Sequence, residues 1–176
     1  MMKINFPLTN ASIILTINRV SKMLKKVLAG GQTGVDRAAL DVAIDLGIAH
    51  GGWCPAGRDA DDGVIPEKYQ LTETPELDHT VRTEYNVRDA DATLMFFRGE
   101  LHGGTAYAIE MAKHAGKPAM AVSLDQDVDI AGIVAWLKEH QVEVLNVGGQ
   151  RETKNPGIYF QSRLVFSKLF EQLGAN

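Results

Sequence analysis

Lys26-Val27-Leu28-Ala29-Gly30-Gly31-Gln32-Thr33-Gly34-Val35-Asp36-Arg37 is the stretch on which the fold turns. An apolar run of strand length stops at a glycine pair. Beyond it Val35, Ala38, Ala39, Val42, Ala43 and Leu46 recur at helical spacing. Residues 26–29 therefore read as a buried strand, followed by an amphipathic helix that Gly47 closes at its C-terminal end. The turn between them is rich in backbone N–H groups. The first N–H groups of a helix lack intrahelical partners, so such a junction suits an anion. Glycine also lets a ligand approach the backbone closely.

The same grammar recurs along the chain. Further Gly-Gly pairs stand at Gly51-Gly52, Gly103-Gly104 and Gly148-Gly149, where extended apolar runs end. Ile48 to Trp53 reads as a second, shorter strand, and residues 54–71, rich in glycine, proline and aspartate, as a structured surface loop. Thr80 to Arg88 suits a short helix, and Ala92 to Phe97 is the clearest central strand. Residues 105–115 suit a helix with Ile109 and Ala112 inward, ended by Gly116-Lys117-Pro118. Ala119 to Val122 returns as a strand, Ile130, Ile133, Val134 and Leu137 mark a helix, and Val142 to Val147 form the last strand. A terminal helix from about Gly157 to Leu173 is expected to bury Leu164, Leu169 and Leu173. Strands separated by helix-length segments predict an α/β fold: a Rossmann-like open, mainly parallel sheet with helices on both faces. Ligands of such sheets bind outside the carboxyl ends of the strands.

Bulk properties narrow the classes. The chain has 176 residues, enough for one domain with a continuous core. Its formal net charge of -4 argues against a general nucleic-acid binder. Cys54 is the only cysteine, so no intrachain disulfide forms, which fits a reducing, cytoplasmic setting. No apolar segment is long enough to span a bilayer. Met23-Leu24-Lys25-Lys26 looks like a domain beginning, which divides the chain into an N-terminal extension, 1–23, and a single ligand-binding domain, 24–176. Within the extension, Ala11-Ser12-Ile13-Ile14-Leu15-Thr16-Ile17 is compatible with an accessory strand, a flexible tail, a weak export signal or a misplaced translation start.

Candidate binding residues gather at the glycine turns. Gly31, Gln32, Thr33 and Gly34 offer backbone N–H groups, an amide and a hydroxyl, and Thr33 could instead cap the helix. Asp36 complements the helix N-terminus or meets ribose, a cation or Arg58, and Arg37 could approach an anion. Gly103, Gly104 and Thr105 form a second such turn, with Thr105 as cap or phosphate partner. Arg151, after Gly148-Gly149, could fork onto phosphate or pair with Glu152. Arg58 is the preferred cation of the middle segment, Trp53 a ring to stack on a base or a core residue, and Arg82 with Asn86 share a helix face. Tight turns and internally paired charges would explain the same residues without a ligand. The five histidines and Cys54 show no metal-ligand spacing, so no protein-bound metal is expected. No nucleophile–histidine–acid set emerges.

The ordered set Gly30 to Asp41, Gly52-Trp53-Cys54-Pro55-Ala56-Gly57-Arg58, Asp62-Gly63-Val64-Ile65-Pro66, Arg82-Thr83-Glu84-Tyr85-Asn86-Val87-Arg88, Gly103-Gly104-Thr105 and Pro156-Gly157-Ile158-Tyr159 resembles the molybdenum cofactor carrier family. That family is related to DprA-like and lysine-decarboxylase-like Rossmann-fold proteins. The resemblance covers almost everything after Met23. It implies a small anionic ligand, a nucleotide or the molybdenum cofactor itself, together with homo-oligomer formation and a molybdoenzyme partner, and no direct nucleic-acid or membrane binding. The cytokinin-activating relatives carry Gly-Gly-x-Gly-Thr-x-x-Glu, whereas here the residue three beyond Thr105 is Ala108 and Glu110 does not stand at that spacing. The leading expectation is therefore binding or carriage. The alternatives are a hydrolase or transferase acting on a nucleotide or nucleotide-sugar, with Glu110 or Asp36 as acid or base, and a sensor subunit whose ligand controls self-association.

Overall fold

The structure, a computed structural model, describes residues 23–174. The apolar stretch expected at 11–17 lies outside those residues. In chain order the elements are β1 (Lys26–Leu28), α1 (Val35–Asp45), β2 (Ala49–Gly51), β3 (Trp53–Cys54), a short 3-10 turn (Ala56–Arg58), β4 (Asp59–Ala60), β5 (Gly63–Val64) and β6 (Thr72–Glu73). They continue as α2 (His79–Asp89), β7 (Ala92–Phe97), α3 (Gly103–His114), β8 (Ala119–Ser123), α4 (Ile130–Glu139), β9 (Val144–Gly149) and α5 (Ile158–Gln172).

The main sheet has five strands in the order β2-β1-β9-β7-β8, and every pairing is parallel. Side chains alternate across it with the two-residue period of a strand. Leu94, Phe96, Met120 and Val122 meet the core beneath α1, α4 and α5, while Met95, Ala119 and Ala121 meet Val87, Ala108, Ile109 and Ala112 of α2 and α3. Phe96 packs edge-on against Phe166 of α5, their ring centres 5.0 Å apart. The α/β reading with helices on both faces holds.

Three local expectations change. The strand foreseen from Ile48 to Trp53 breaks at Gly52, whose φ is +125° and whose added Cβ would lie 2.3 Å from the Ala29 carbonyl oxygen. The chain leaves the main sheet there, and β3 pairs with β6 instead. The segment foreseen as a surface loop, 54–71, folds over a small core of its own, with Cys54, Ala60, Ile65 and Tyr69 buried against Ala29 and Leu40. Leu164 was expected inside, yet it is 68% exposed. The buried stripe of α5 runs through Ile158, Ser162, Phe166, Leu169 and Phe170. Leu164 stands five residues before Leu169, roughly 140° round the helix from it.

Registers bring the carboxyl ends of the three central strands together. Leu28 is level with Asn146, and Phe96 with Gly149. From β1 the chain moves outward to β2, and from β7 it moves outward the other way to β8. The reversal, spanned by β9, is where open α/β sheets form a crevice.

Candidate functional site

A cavity of about 150 Å³ opens at that reversal. The end of β1 contributes Gly30, α1 contributes Asp36, and α2 contributes Arg82, Thr83 and Asn86. The start of α3 contributes His102, Gly103, Gly104 and Thr105, and β9 with its following loop contributes Asn146 to Arg151, Lys154 and Asn155.

Its most reactive edge toward an anion is the N-terminus of α3. Each of the other four helix starts has at least one N–H answered from within the protein. Val35 N–H of α1 donates to the Gln150 carbonyl, Thr80 N–H of α2 to Asp78, Gly132 N–H of α4 to Asp129, and Gly157 and Tyr159 N–H of α5 to Glu152. The helix α3 has neither a side-chain cap nor an acidic residue in its first turn. Among the described residues, the N–H groups of Gly103, Gly104 and Thr105 have no acceptor outside the helix. Thr105 is 7% exposed, and its hydroxyl has no partner among the described residues. This corrects its expected role as the capping residue, because His102 holds the N-cap position and Thr105 is the third helical residue.

Arg82 supplies the charge beside this edge. Its Nη1 donates to Asp36 Oδ2 at 3.1 Å, and its Nε is buried without a partner. Asn86, one turn later, uses its amide on β3: Trp53 N–H donates to its Oδ1 at 2.8 Å and its Nδ2 donates to the Trp53 carbonyl at 3.0 Å. Arg151 reaches the rim while paired with Asp61 at 2.7 Å. Burial would raise the Asp61 carboxyl, but the Thr153 hydroxyl and the charge of Arg151 outweigh it and hold it below the usual carboxylate range. Lys154 stands exposed on the same rim with no carboxylate within ion-pair distance among the described residues.

The remaining expected residues lie elsewhere. The glycine turn at 31–34 does not line the cavity. Its Gln32 side chain serves the protein: Thr33 N–H and Asp61 N–H both donate to Gln32 Oε1 at 2.9 Å, and Gln32 Nε2 donates to Asp61. The Thr33 hydroxyl is buried without a partner, and Gly34, not Thr33, occupies the N-cap. Gly31 packs on Leu71 and Ile65, and Gly34 on the backbone of 150–152. Arg37 donates to the Gly31 carbonyl and forks onto Asp62, whose carboxyl that fork holds low. Arg58 donates to four carbonyls, those of Ile65, Leu71, Pro66 and Tyr69. Trp53 sits half-exposed, edge-on to Tyr85, with its Nε1 donating to Asp89 at 2.7 Å. Cys54 is fully buried, and burial pushes its thiol up. Glu110 is exposed and outside the cavity. Among the described residues no three His, Cys, Asp or Glu side chains gather as a metal site.

Sequence reasoning gave no role to Asn146 or Lys154. The signal for Asn146 was present, since a polar residue interrupts an apolar strand. It is 3% exposed, and its Nδ2 donates to Thr93 Oγ1 on the neighbouring strand at 3.2 Å. Nothing local distinguishes Lys154 from any turn lysine.

Residues 27–170 match the family described as the circularly permutated YpsA SLOG family. Among solved structures, the chain is similar to a crystal structure of a protein named "Putative molybdenum carrier protein" from Syntrophus aciditrophicus SB. The two share 41% identity with a TM-score of 0.78, over 84% of this chain and 95% of the other. No curated protein matches the chain.

Proposed function

The chain belongs to the circularly permutated YpsA SLOG family, and from that premise we propose that it binds and carries a phosphate-bearing, nucleotide-related small molecule, the pterin-containing molybdenum cofactor being the specific cargo. The observation that carries this reading is the open N-terminus of α3 facing the Arg82 side chain across one cavity. Unanswered first-turn amides, the Thr105 hydroxyl and a guanidinium together form a donor set for a tetrahedral anion. The named relative supports the choice of cargo. Any molybdenum arrives inside the cargo, so the protein needs no metal ligands of its own.

Carriage is preferred over hydrolysis or group transfer on positional grounds. Glu110 stands outside the cavity, and Asp36 is already held by Arg82 and the Gly30 N–H. The same proposal has the protein acting in the cytoplasm as a homo-oligomer that hands its cargo to a molybdoenzyme. Native mass spectrometry of freshly purified protein, with molybdenum measured on the same sample, tests it. One unchanged phosphorylated ligand per chain is expected. Calorimetry with inorganic phosphate tests the site: Thr105→Val and Arg82→Ala should each weaken binding by about tenfold, the loss of one charge-assisted or buried hydrogen bond. Equal phosphate affinity in wild type and both variants would remove the site, and conversion of the retained ligand on incubation would replace carriage by catalysis.

A further inference from the structure

The inner wall of the cavity carries an acceptor that binding an anion does not use. Asp36 is only 3% exposed. Its Oδ2 accepts from Gly30 N–H at 3.2 Å and from Arg82 Nη1 at 3.1 Å. Its other oxygen, Oδ1, receives no hydrogen bond among the described residues and lies against Gly148, which lines the same cavity.

Two glycines keep this arrangement open, and neither has a positive φ. A Cβ on Gly30 would lie 1.6 Å from Arg82 Nη1, so only glycine lets the guanidinium lie across the end of β1. A Cβ on Gly148 would come within 3.1 Å of Asp36 Oδ1 and 3.2 Å of the Met95 thioether. Backbone conformation does not ask for glycine at either position. The access to Arg82 and Asp36 does.

A carboxylate oxygen at the cavity wall with no donor from the described residues is an acceptor open to a ligand. It also repels a second anionic group. We propose that Asp36 Oδ1 is a specificity point that accepts one hydrogen bond from an uncharged donor, a hydroxyl or an N–H, on the part of the ligand distal to its phosphate. The proposal rests on the anion-carriage reading and adds the ligand's second chemical requirement: a phosphate monoester whose remote half offers a donor. Arg82 is then a positioning residue as well as a phosphate partner, since its bond to Oδ2 turns Oδ1 toward the cavity. A sugar hydroxyl and the amino edge of a pterin or purine share this donor chemistry.

Calorimetry with two probes separates this claim from the one beneath it. Inorganic phosphate reports the α3 edge with Arg82, and guanosine monophosphate reports that site together with Asp36 Oδ1. Wild type should bind the nucleotide about tenfold more tightly than phosphate, the worth of one hydrogen bond to a charged acceptor. In Gly148→Ala the nucleotide should fall to within about twofold of phosphate measured on the same variant. Asp36→Asn should lower the ratio of nucleotide to phosphate affinity in the same way without added volume, because the amide oxygen must turn to Arg82 and leave the NH₂ group facing the ligand, while phosphate itself should bind more tightly once the carboxylate charge is gone. Thermal midpoints confirm that both variants fold. Inosine monophosphate and 2′-deoxyguanosine monophosphate then assign the donor to the amino group or to the 2′-hydroxyl. A nucleotide advantage that survives both substitutions overturns the proposal. Absence of phosphate and nucleotide binding in the wild type overturns the carriage reading with it.

Discussion

Arg58→Ala should destabilise the protein and leave phosphate affinity untouched. The Arg58 guanidinium donates to the carbonyls of Ile65 at 2.9 Å, Leu71 at 3.2 Å, Pro66 at 3.0 Å and Tyr69 at 2.8 Å. It is the internal clamp of the 59–71 segment, which covers Cys54, Ala60 and Ile65. Each bond contributes about 0.5–1.5 kcal/mol net, and water can replace the exposed one to Pro66. The loss comes to about 3 kcal/mol, or about 6–12 °C in melting temperature for a domain of this size. Arg58 also has a φ of +55°, a strain that alanine keeps. Arg58→Gly should therefore recover about 1 kcal/mol of the loss. Arg58→Lys should recover little, since a single ammonium cannot span the four carbonyls. Thermal melts paired with phosphate calorimetry decide the matter. An Arg58→Ala protein that melts with the wild type but no longer binds phosphate would refute this account and return Arg58 to the ligand.

Two further outcomes follow from the same contacts. Gly34 has a φ of +92°, and an added Cβ would lie 2.5 Å from the Gln150 carbonyl oxygen and 2.7 Å from the Glu152 nitrogen. Gly34→Ala should cost at least about 2 kcal/mol, read by denaturant titration, and a wild-type midpoint would show that α1 does not dock on the 150–152 loop. Asp41 should govern part of the acid limb. Burial would raise its carboxyl, but hydrogen bonds from Lys68, Tyr159 and Tyr69 prevail and hold it below the usual range. A depressed folded value gives stability that is present above about pH 4 and lost as pH falls through the folded value. Asp41→Asn should melt lower at neutral pH and show a shallower decline below about pH 4; parallel acid limbs in the two proteins would contradict it.

Periodicity made the helices readable, because the stripe that α1 buries, Val35, Ala38, Ala39 and Val42, is written in consecutive turns. The cavity was half readable. Asp36, Arg82, Asn86, Gly103, Gly104, Thr105 and Arg151 were expected at a ligand site, and all seven line the one cavity. Gln32, Arg37 and Arg58 were expected there too, on the same chemistry. In the folded chain their side chains are engaged internally, by partners that are remote or are main-chain atoms. Asp61 and Asp62 return to Gln32 and Arg37 from 29 and 25 residues away. Arg58 meets carbonyls, which every residue carries. A donor in a glycine-rich turn looks the same whether it awaits a ligand or a loop. Only the folded chain discriminates between them.

The position of β9 was beyond local reading for a related reason. A strand's existence follows from its own residues, whereas its place in a sheet follows from which edges its neighbours leave open. β9 comes last among the strands, yet it pairs with β1 on one side and β7 on the other. Without it the main sheet would be two separate pairs, β2 with β1 and β7 with β8. The segment that closes the sheet also brings Asn146, Gly148, Arg151 and Lys154 to the cavity, opposite Gly30 and Asp36 from the first βα unit. It supplies as well the Gln150 carbonyl that answers the start of α1, and the Gln150 amide that accepts from Arg98 N–H and donates to the Arg98 carbonyl after β7. Gln150 thus ties the two flanking strands' exits to the central one. Completion of the sheet and formation of the pocket are one event, which is why the first N–H of α1 is answered by the Gln150 carbonyl while the start of α3, outside that closure, faces the cavity.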